Sequence, residues 1–366
     1  MQLKHLQYGF SLIELMISLT LGLLISAAVM QVYLTSIKTS SIQSGGSDLL
    51  EASIFGIQNI EKSIRLSNLG MADTNNPLTP LAGVVMTSDK SLVSSKTDKS
   101  KNNMNGIKMG GTETVAGSLD VIDKYLTKSR IQTSNITDLK SSQLTIQYEA
   151  PQDMYDCEGT LVRGPIEIER DGRLEMIPGQ VIIERYFLEE VDSNDKANYE
   201  SNIKSYELRC DAGRYVKENL TADELVAQKI NDSTILKDSR NIRDFGNASE
   251  VVIPRVDYFG VLLGVEVIDP LTSKVTLRYF TSEEYMSFLK DLETKASTIT
   301  TDIISVKLSA LVRAERPLTG EAGASKFEIF GDEKALSSDT SNAFIRKVYE
   351  SNIMLRNSRA IKESSI

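Results

Sequence analysis

The N-terminal part of the chain is dominated by apolar positions. Phe10–Val32 carries a single charge, on Glu14, and is long enough for the roughly 20 apolar residues that a helix needs to cross a bilayer core. An amphipathic stripe with helical spacing follows, formed by Leu50, Ile57, Ile60 and Ile64. We therefore predict one helix over residues 10–67, membrane-spanning over 10–33, whose continuation over 34–67 packs its stripe on a core.

Two glycines and a polar region interrupt this pattern. Gly45 and Gly46 lie inside the predicted helix, where a glycine costs about 1 kcal/mol relative to alanine, so we expect a kink or local melting there. Residues 70–118 contain few periodic apolar positions and many Ser, Lys, Asp, Asn and Gly residues. This composition predicts a loop region between the helix and the rest of the chain.

Short segments from residue 119 onward alternate apolar and polar positions, as strands do. The clearest are Gln143–Tyr148, Val181–Phe187, Tyr206–Cys210, Lys274–Phe280, Ile304–Val312 and Lys347–Leu355. We expect one face of a strand to carry Ile304, Val306, Leu308, Ala310 and Val312, and one face of the last strand to carry Tyr349, Ile353 and Leu355.

Two further segments complete the fold prediction. Val251–Ile268 is apolar but contains Pro254 and two glycines, so its pattern favours neither helix nor strand, whereas Ser282–Lys295 has helical spacing. Together the elements predict an α+β fold in which a long N-terminal helix packs on an antiparallel β-sheet head.

The formal net charge of −9 argues against nonspecific binding of nucleic acid. One loop does contain Lys90, Lys96, Lys99 and Lys101, but Asp89 and Asp98 lie among them and no aromatic residue offers a stacking platform. We interpret this loop as a solvated surface and predict no direct nucleic-acid contact.

The residues Gly9, Phe10, Ser11, Leu12, Ile13 and Glu14 resemble the class III signal of type IV pilins and pseudopilins. In that family a prepilin peptidase cuts after the glycine and methylates the new N-terminal residue, here Phe10. The resemblance implies a leader over 1–9, a transmembrane and filament-core helix over 10–33, and a periplasmic head over 68–366. A secretory signal peptide and a plain single-span anchor are the alternatives, and both leave Glu14 unexplained.

A carboxylate in hydrocarbon, such as that of Glu14, costs about 2.5–3.5 kcal/mol and therefore needs a partner. Cleavage after Gly9 would supply one, because the new α-amino group of Phe10 has a pKa of about 7.7–8.0. The pair could form within one chain, where it lowers the cost of burial. It could also form between neighbouring subunits, where it also fixes their axial register.

Later segments resemble the PilW family of minor pilins: Leu144–Gly159, Leu208–Cys210 with Gly213, Asp302–Arg313 and Arg346–Asn357. The resemblance implies a low-abundance inner-membrane subunit that helps to initiate type IV pili and lies at or near the tip, supporting twitching motility, adhesion and DNA uptake. Its implied partners are other minor pilins, the major pilin, the prepilin peptidase, the inner-membrane assembly machinery and a tip adhesin. The alternative is the large minor pseudopilin (J type) of a type II secretion system.

Cysteine and histidine usage limits the chemistry of the head. If the leader is removed, the only histidine, His5, leaves with it, which excludes Ser-His-Asp and Cys-His catalysis and imidazole zinc sites. With the head exported as the resemblance implies, Cys157 and Cys210 are expected to form one disulfide. Two buried free thiols are the alternative.

An enzymatic head would have to use carboxylates, for instance the pairs Asp153 with Asp156 or Glu167 with Glu169. Acidic residues are abundant here, so such pairs carry little information. Asp192, Asn194 and Asp195 offer oxygen ligands for calcium, but their spacing does not follow an EF-hand loop. We therefore predict a non-enzymatic subunit with no catalytic residue, metal or cofactor.

Overall fold

The computed structural model describes residues 11–88, 101–109, 124–170, 172–192, 194–196, 200, 203–217, 241–247, 249–318, 323–338 and 340–358. It opens with an unbroken helical rod made of α1 (Leu12–Glu51), a π-helical turn (Ala52–Ile57) and α2 (Gln58–Leu66). The predicted long helix is confirmed from Leu12 onward. The local melting expected at Gly45 and Gly46 is not observed, because α1 continues through both.

The π-helical turn explains an error in the predicted stripe. A π turn inserts one extra residue into the helix, so positions eight apart, rather than seven, face the same way across it. Ile57, Ile60 and Ile64 are buried as predicted, but Leu50 is 57% exposed and its neighbour Leu49 is only 4% exposed. The buried stripe therefore runs from Leu49 to Ile64.

The head contains two antiparallel sheets. The five-stranded sheet has the order β11-β9-β8-β3-β2, and the four-stranded sheet has the order β13-β12-β14-β17. The strands of the first sheet are β2 (Lys128–Ile136), β3 (Leu139–Glu149), β8 (Val181–Glu190), β9 (Tyr206–Tyr215) and β11 (Glu250–Ile253). Those of the second are β12 (Val256–Asp269), β13 (Lys274–Phe280), β14 (Thr300–Pro317) and β17 (Phe344–Met354).

The head also contains four two-stranded sheets among the described residues. Three are antiparallel: β4 (Met154–Tyr155) with β5 (Leu161–Val162), β6 (Ile166–Arg170) with β7 (Arg173–Ile177), and β15 (Lys326–Ile329) with β16 (Asp332–Ala335). One is parallel: β1 (Lys108–Met109) with β10 (Asn241–Ile242). The predicted α+β class is confirmed, with two main sheets in place of one.

Five of the six predicted strands lie within observed ones, and β13 coincides with its prediction; the sixth, Lys347–Leu355, extends one residue beyond the end of β17 at Met354. The ambiguous segment Val251–Ile268 is strand on both sides of a turn at Pro254 and Arg255, where Arg255 has a φ of 57°. The predicted helix appears as α3 (Ser282–Thr294) and is capped by Thr281, whose hydroxyl accepts the Glu284 N–H at 3.3 Å while the Glu284 carboxylate accepts the Thr281 N–H at 2.9 Å.

The predicted face of β14 is correct for four of its five residues. Val306, Leu308, Ala310 and Val312 belong to the main core, but at the fifth position the core contains Ile303 in place of Ile304. The pairing of β12 with β14 shifts register at this point, since Gly264 lies opposite Ser305 and Val265 opposite Ile303. Such an irregularity reverses the faces of all residues beyond it.

The main core lies where the helical rod meets both sheets. It combines Leu49, Ile57, Ile60 and Ile64 with apolar residues of β3, β8, β12, β14 and β17 and with Leu355, which directly follows β17. Gly56 permits the closest approach, because a Cβ at this position would lie 2.2 Å from Cγ1 of Ile253 on β11. The C-terminal part of the rod, from Leu49 to Leu66, is thus packed into the head, while its N-terminal part projects from it.

Candidate functional site: the N-terminal helix and its attachment

The projecting half of α1 exposes a continuous apolar surface. Its large apolar side chains from Leu12 to Leu34 are each 54–79% exposed. In the described part of the chain this is the one helix long and apolar enough to cross a membrane, and none of its most apolar window is buried in the head. A surface of this size requires lipid or other protein around it.

The serine and threonine hydroxyls within this apolar surface donate to the backbone of the helix itself. Ser18 donates to the carbonyl of Glu14 at 2.7 Å, Thr20 to that of Ile17 at 2.9 Å, and Ser26 to that of Gly22 at 2.8 Å. Hydrogen bonds back to the preceding turn remove the need for water around these residues. A Cβ added at Gly22 would meet no atom within 4 Å, so the surface of this residue is open to another helix.

Glu14 lies in the first turn of α1, and its N–H donates to the hydroxyl of Ser11 at 3.2 Å. Its carboxylate has no ion-pair partner among residues 11–358 as far as they are described. Gly9 and Phe10 lie outside the described residues. Cleavage after Gly9, methylation of Phe10 and pairing of its amino group with Glu14 therefore stay predictions.

Polar contacts hold the C-terminal part of the rod against β17. The hydroxyl of Tyr349 donates to the carbonyl of Leu49 at 2.6 Å, just before the π-helical turn. The hydroxyl of Ser351 donates to Glu61 at 2.6 Å, and Arg65 donates to the other oxygen of the same carboxylate at 2.9 Å. These bonds lie on either side of the turn and hold the register between rod and sheet.

A buried carboxylate, Glu184 on β8, connects the rod to the five-stranded sheet. It accepts hydrogen bonds from the hydroxyls of Tyr186 at 2.8 Å and Tyr148 at 3.2 Å, from the N–H of Cys157 at 3.2 Å, and from Ser63 of α2. Burial raises the pKa of the Glu184 carboxyl, and the hydroxyl donors oppose that rise by stabilising its charged form. Sequence reasoning missed this residue.

Cys157 and Cys210 form a disulfide across 53 positions of sequence. Cys210 is fully buried on β9 opposite Tyr186, and Cys157 lies in the turn between β4 and β5. In the loop-entropy account, closing a loop of this length stabilises the fold by about 4 kcal/mol. The disulfide therefore holds the β4–β5 excursion against the edge of the main core, beside Glu184.

A second buried ionic cluster joins the two sheets. Asp257 on β12 accepts hydrogen bonds from Arg346 at 2.6 Å and from Asn135 of β2 at 2.7 Å, and Arg313 approaches it to 3.6 Å. Arg313 also donates to Glu200 at 2.7 Å. Burial lowers the pKa of Arg346, and the charge of Asp257 opposes this effect. Sequence reasoning missed the cluster, although Arg313 at the end of an apolar strand face was a visible signal.

The remaining residues that the sequence offered as catalytic or metal-binding candidates do not come together in one site. Asp153 pairs with Arg163, Asp156 accepts the N–H groups of its own turn, and Glu167 and Glu169 are exposed on β6. Asp192, Asn194 and Asp195 are exposed in a turn, and the described residues contain no cluster of acidic or cysteine side chains suited to a metal ion. Of the loop lysines, Lys90, Lys96 and Lys99 lie outside the described residues.

Comparison with known proteins gives two matching families. Residues 4–30 match the prokaryotic N-terminal methylation motif, and residues 215–357 match the family described as type IV pilus-assembly protein W, or PilW. The second match contains the whole four-stranded sheet. No curated protein sequence matches the chain. Among solved structures, a type IV-like pilin from Thermus thermophilus is similar over 67% of this chain and 94% of its own, at 12% identity and a TM-score of 0.23.

Proposed function

We propose that the chain acts as a type IV pilus minor pilin of the PilW family, which helps to initiate pilus assembly and lies at or near the pilus tip. In this role it supports twitching motility, adhesion and DNA uptake. Its partners are other minor pilins, the major pilin, the prepilin peptidase, the inner-membrane assembly machinery and a tip adhesin. The observation that carries the proposal is the methylation motif on a projecting apolar helix.

Before assembly the protein is a single-span subunit of the inner membrane, with its head in the periplasm. The apolar surface from Leu12 to Leu34 supports this stage, because it needs a hydrocarbon environment. In the pilus, neighbouring copies of the same kind of helix replace the lipid around it. The head contributes contacts rather than catalysis, since the buried carboxylates found in it are engaged in structural hydrogen bonds and ion pairs.

A pseudopilin of a type II secretion system, the J type, would share the N-terminal helix and its motif. The match of residues 215–357 to the PilW family favours the pilus. Co-purification of the protein with the other minor pilins tests this choice. Recovery with secretion pseudopilins in their place would contradict it.

Mass spectrometry of the mature N-terminus tests the processing on which the proposal depends. We expect a chain that begins at N-methylated Phe10 and has lost residues 1–9. A mature protein that retains Met1, or that has lost the apolar helix altogether, would contradict both the processing and the function.

We propose that Glu14 pairs with the α-amino group of a neighbouring subunit, because an unpaired carboxylate in hydrocarbon costs about 2.5–3.5 kcal/mol. Replacing Glu14 by Gln removes the charge but keeps the shape of the side chain. We expect normal cleavage and membrane insertion, but a fall in the amount of protein recovered in sheared pili, measured by immunoblot against the membrane fraction.

The matched control is Glu51→Gln, which neutralises an exposed acid at the other end of α1 and should leave incorporation unchanged. Equal incorporation of the Glu14→Gln protein and the wild type would eliminate the intersubunit pair. A pair within one chain would then remain as the explanation for the acid.

A further inference from the structure

Three of the four edge strands of the two sheets are protected. β17 is held against the helical rod through Tyr349 and Ser351, and β11 packs its Ile253 against Gly56. β2 pairs with β3 through two register shifts, which disrupt a regular edge. Natural sheets use such devices to stop their edges from pairing with other chains.

The fourth edge, β13, lacks these devices in the part of the chain that the structure describes. It pairs with β12 in unbroken register from Lys274 to Phe280, and its outer side has no neighbouring strand among the described residues. A straight edge of this kind presents free backbone N–H and C=O groups in the order that another strand requires.

The side chains on one face of β13 are apolar and exposed. Val275, Leu277 and Tyr279 are 56%, 50% and 41% exposed, although they alternate along the strand in the manner of a buried face. The register carries this face across the sheet, from Tyr279 through Gly264 and Ser305 to Met354, which is also exposed. Exposed apolar side chains therefore lie at both edges of this face, with Gly264 and the buried Ser305 between them.

The opposite face of β13 carries positive charge. Lys274 and Arg278 are both exposed, and neither forms an ion pair with any described residue. An incoming strand would thus meet apolar side chains on one face and cations on the other. A second copy of β13 fits this surface poorly, because antiparallel pairing within the sheet would bring its own Lys274 and Arg278 to the same face.

We propose that β13 accepts an extended strand from another pilus subunit, in which apolar side chains alternate with acidic ones. The apolar side chains of the added strand cover Val275, Leu277 and Tyr279, its carboxylates face Lys274 and Arg278, and its backbone continues the four-stranded sheet. The subunit class of the partner rests on the proposed function, whereas the strand-like mode of binding rests on the edge alone.

The test compares Leu277→Lys with the wild-type, full-length protein, each purified in detergent after co-expression with the minor and major pilins of the same pilus. Position 277 lies opposite Glu266 on β12, so a lysine there faces a carboxylate and the fold is retained. Leu271→Lys is the matched control, because Leu271 is 84% exposed in the turn before β13 and lies off the strand.

We expect Leu277→Lys to lower recovery of the bound subunit by about tenfold, as loss of a central interface contact does. Leu271→Lys should leave recovery unchanged, and both variants should melt at the wild-type temperature. Hydrogen exchange in the wild-type complex should show new protection within residues 274–280.

Equal recovery with both variants, or protection that appears away from β13, would overturn the proposal. Protection of β13 in the protein purified alone, with a dimer in solution, would overturn it in favour of a second copy. If the N-terminus is methylated and Leu277→Lys has no effect, the edge proposal fails alone. If the N-terminus is unprocessed, the proposed function fails, whatever β13 binds.

Discussion

Single carboxylates show how differently this chain treats acids that are removed from water. Glu184 is surrounded by hydroxyl and amide donors, and Asp257 is paired with two guanidinium groups. Glu158, beside the disulfide, has the opposite surroundings. Burial, followed by the nearby charges of Asp211, Asp156 and Glu250, raises its pKa to about 7 against an opposing backbone hydrogen bond.

The raised pKa of Glu158 makes the stability of the head depend on pH. The folded protein holds the proton more tightly than the unfolded chain, whose glutamates titrate near 4.5. The free energy of unfolding therefore falls as pH rises from about 4.5 to about 7 and changes little outside that range on account of this group. Glu158→Gln should raise the melting temperature at about pH 8 and leave it nearly unchanged at about pH 4.5.

The measurement is a series of thermal melts across this range for the variant and the wild type. Glu167→Gln is the control, because Glu167 is exposed on β6 and its neutralisation should alter neither end of the series. A difference between Glu158→Gln and wild type that does not vary with pH would show that the carboxyl is not perturbed.

The hydrogen-bond partners of a buried acid such as Glu184 could not be predicted from the sequence. Glu184 meets Tyr148, Tyr186, Cys157 and Ser63, which come from β3, β8, the β4–β5 turn and α2. These residues come into contact only when the five-stranded sheet packs against α2. By contrast, the exposure of the apolar residues from Leu12 to Leu34 followed directly from their continuous run.

Among the elements, the helical rod shows where periodicity succeeds and where it fails. The spacing of Ile57, Ile60 and Ile64 predicted their burial, because α2 is regular. The extension back to Leu50 failed, because one extra residue in the π-helical turn moves the buried position to Leu49. The residue types of Ala52–Ile57 do not distinguish a π turn from an α-helical turn, so the extra residue could not be predicted from the sequence.

The π-helical turn predicts the effect of a deletion. Removing exposed Phe55 should convert the turn into regular α-helix and bring Leu49 seven positions before the isoleucine now at 57, on the same face. We expect the head to fold, with Leu49 still protected and the free energy of unfolding lowered by no more than about 1 kcal/mol, near the centre of the distribution for single-residue changes.

The control is deletion of exposed Lys62 from α2, a regular helix, which turns Ile64 away from Ile57 by about 100°. This variant should lose one or more buried isoleucines, at about 1.5–3 kcal/mol each. Chemical denaturation of both proteins measures the difference. Equal destabilisation by the two deletions would contradict the register assigned to the π turn.

The strands were the easier elements to predict. The alternation of Gln143–Tyr148 predicted both the strand and its core face, since Leu144, Ile146 and Tyr148 all belong to the main core. Ile304 was misassigned because the register shift between β12 and β14 involves two strands at once. A one-residue irregularity has no signature in either strand alone.

At the scale of the whole molecule, the ionic cluster around Asp257 links the two sheets. Asp257, Arg313 and Arg346 lie on three neighbouring strands of one sheet, while Asn135 belongs to the other. The order of strands in each sheet could not be predicted, because β12 pairs with both β13 and β14 and β14 pairs with β17 over long separations. Only the class of fold was accessible from the sequence.

Removal of the central carboxylate should weaken the joint between the sheets strongly. Asp257→Ala leaves two buried guanidinium groups with one remaining carboxylate, and breaking a buried pair in this way costs about 3–5 kcal/mol. The free energy of unfolding, measured by urea titration, should fall by that amount.

Glu333→Ala serves as the reference for this prediction. It breaks an ion pair with Lys326 at 2.7 Å in which both side chains are mainly exposed, so water screens the pair and its loss should lower the free energy of unfolding far less than Asp257→Ala does. If the two variants lost the same free energy, the cluster around Asp257 would not hold the sheets together.

Ser18, Thr20 and Ser26 of α1 donate their hydroxyl hydrogens to carbonyls of the preceding turn. These three hydroxyls therefore need no hydrogen-bond partner in their surroundings, whether those are acyl chains or packed side chains. Passage from a fluid medium into a solid bundle then leaves the internal bonding of the rod untouched, and only van der Waals neighbours are exchanged. A helix of this kind can change its solvent without changing its shape.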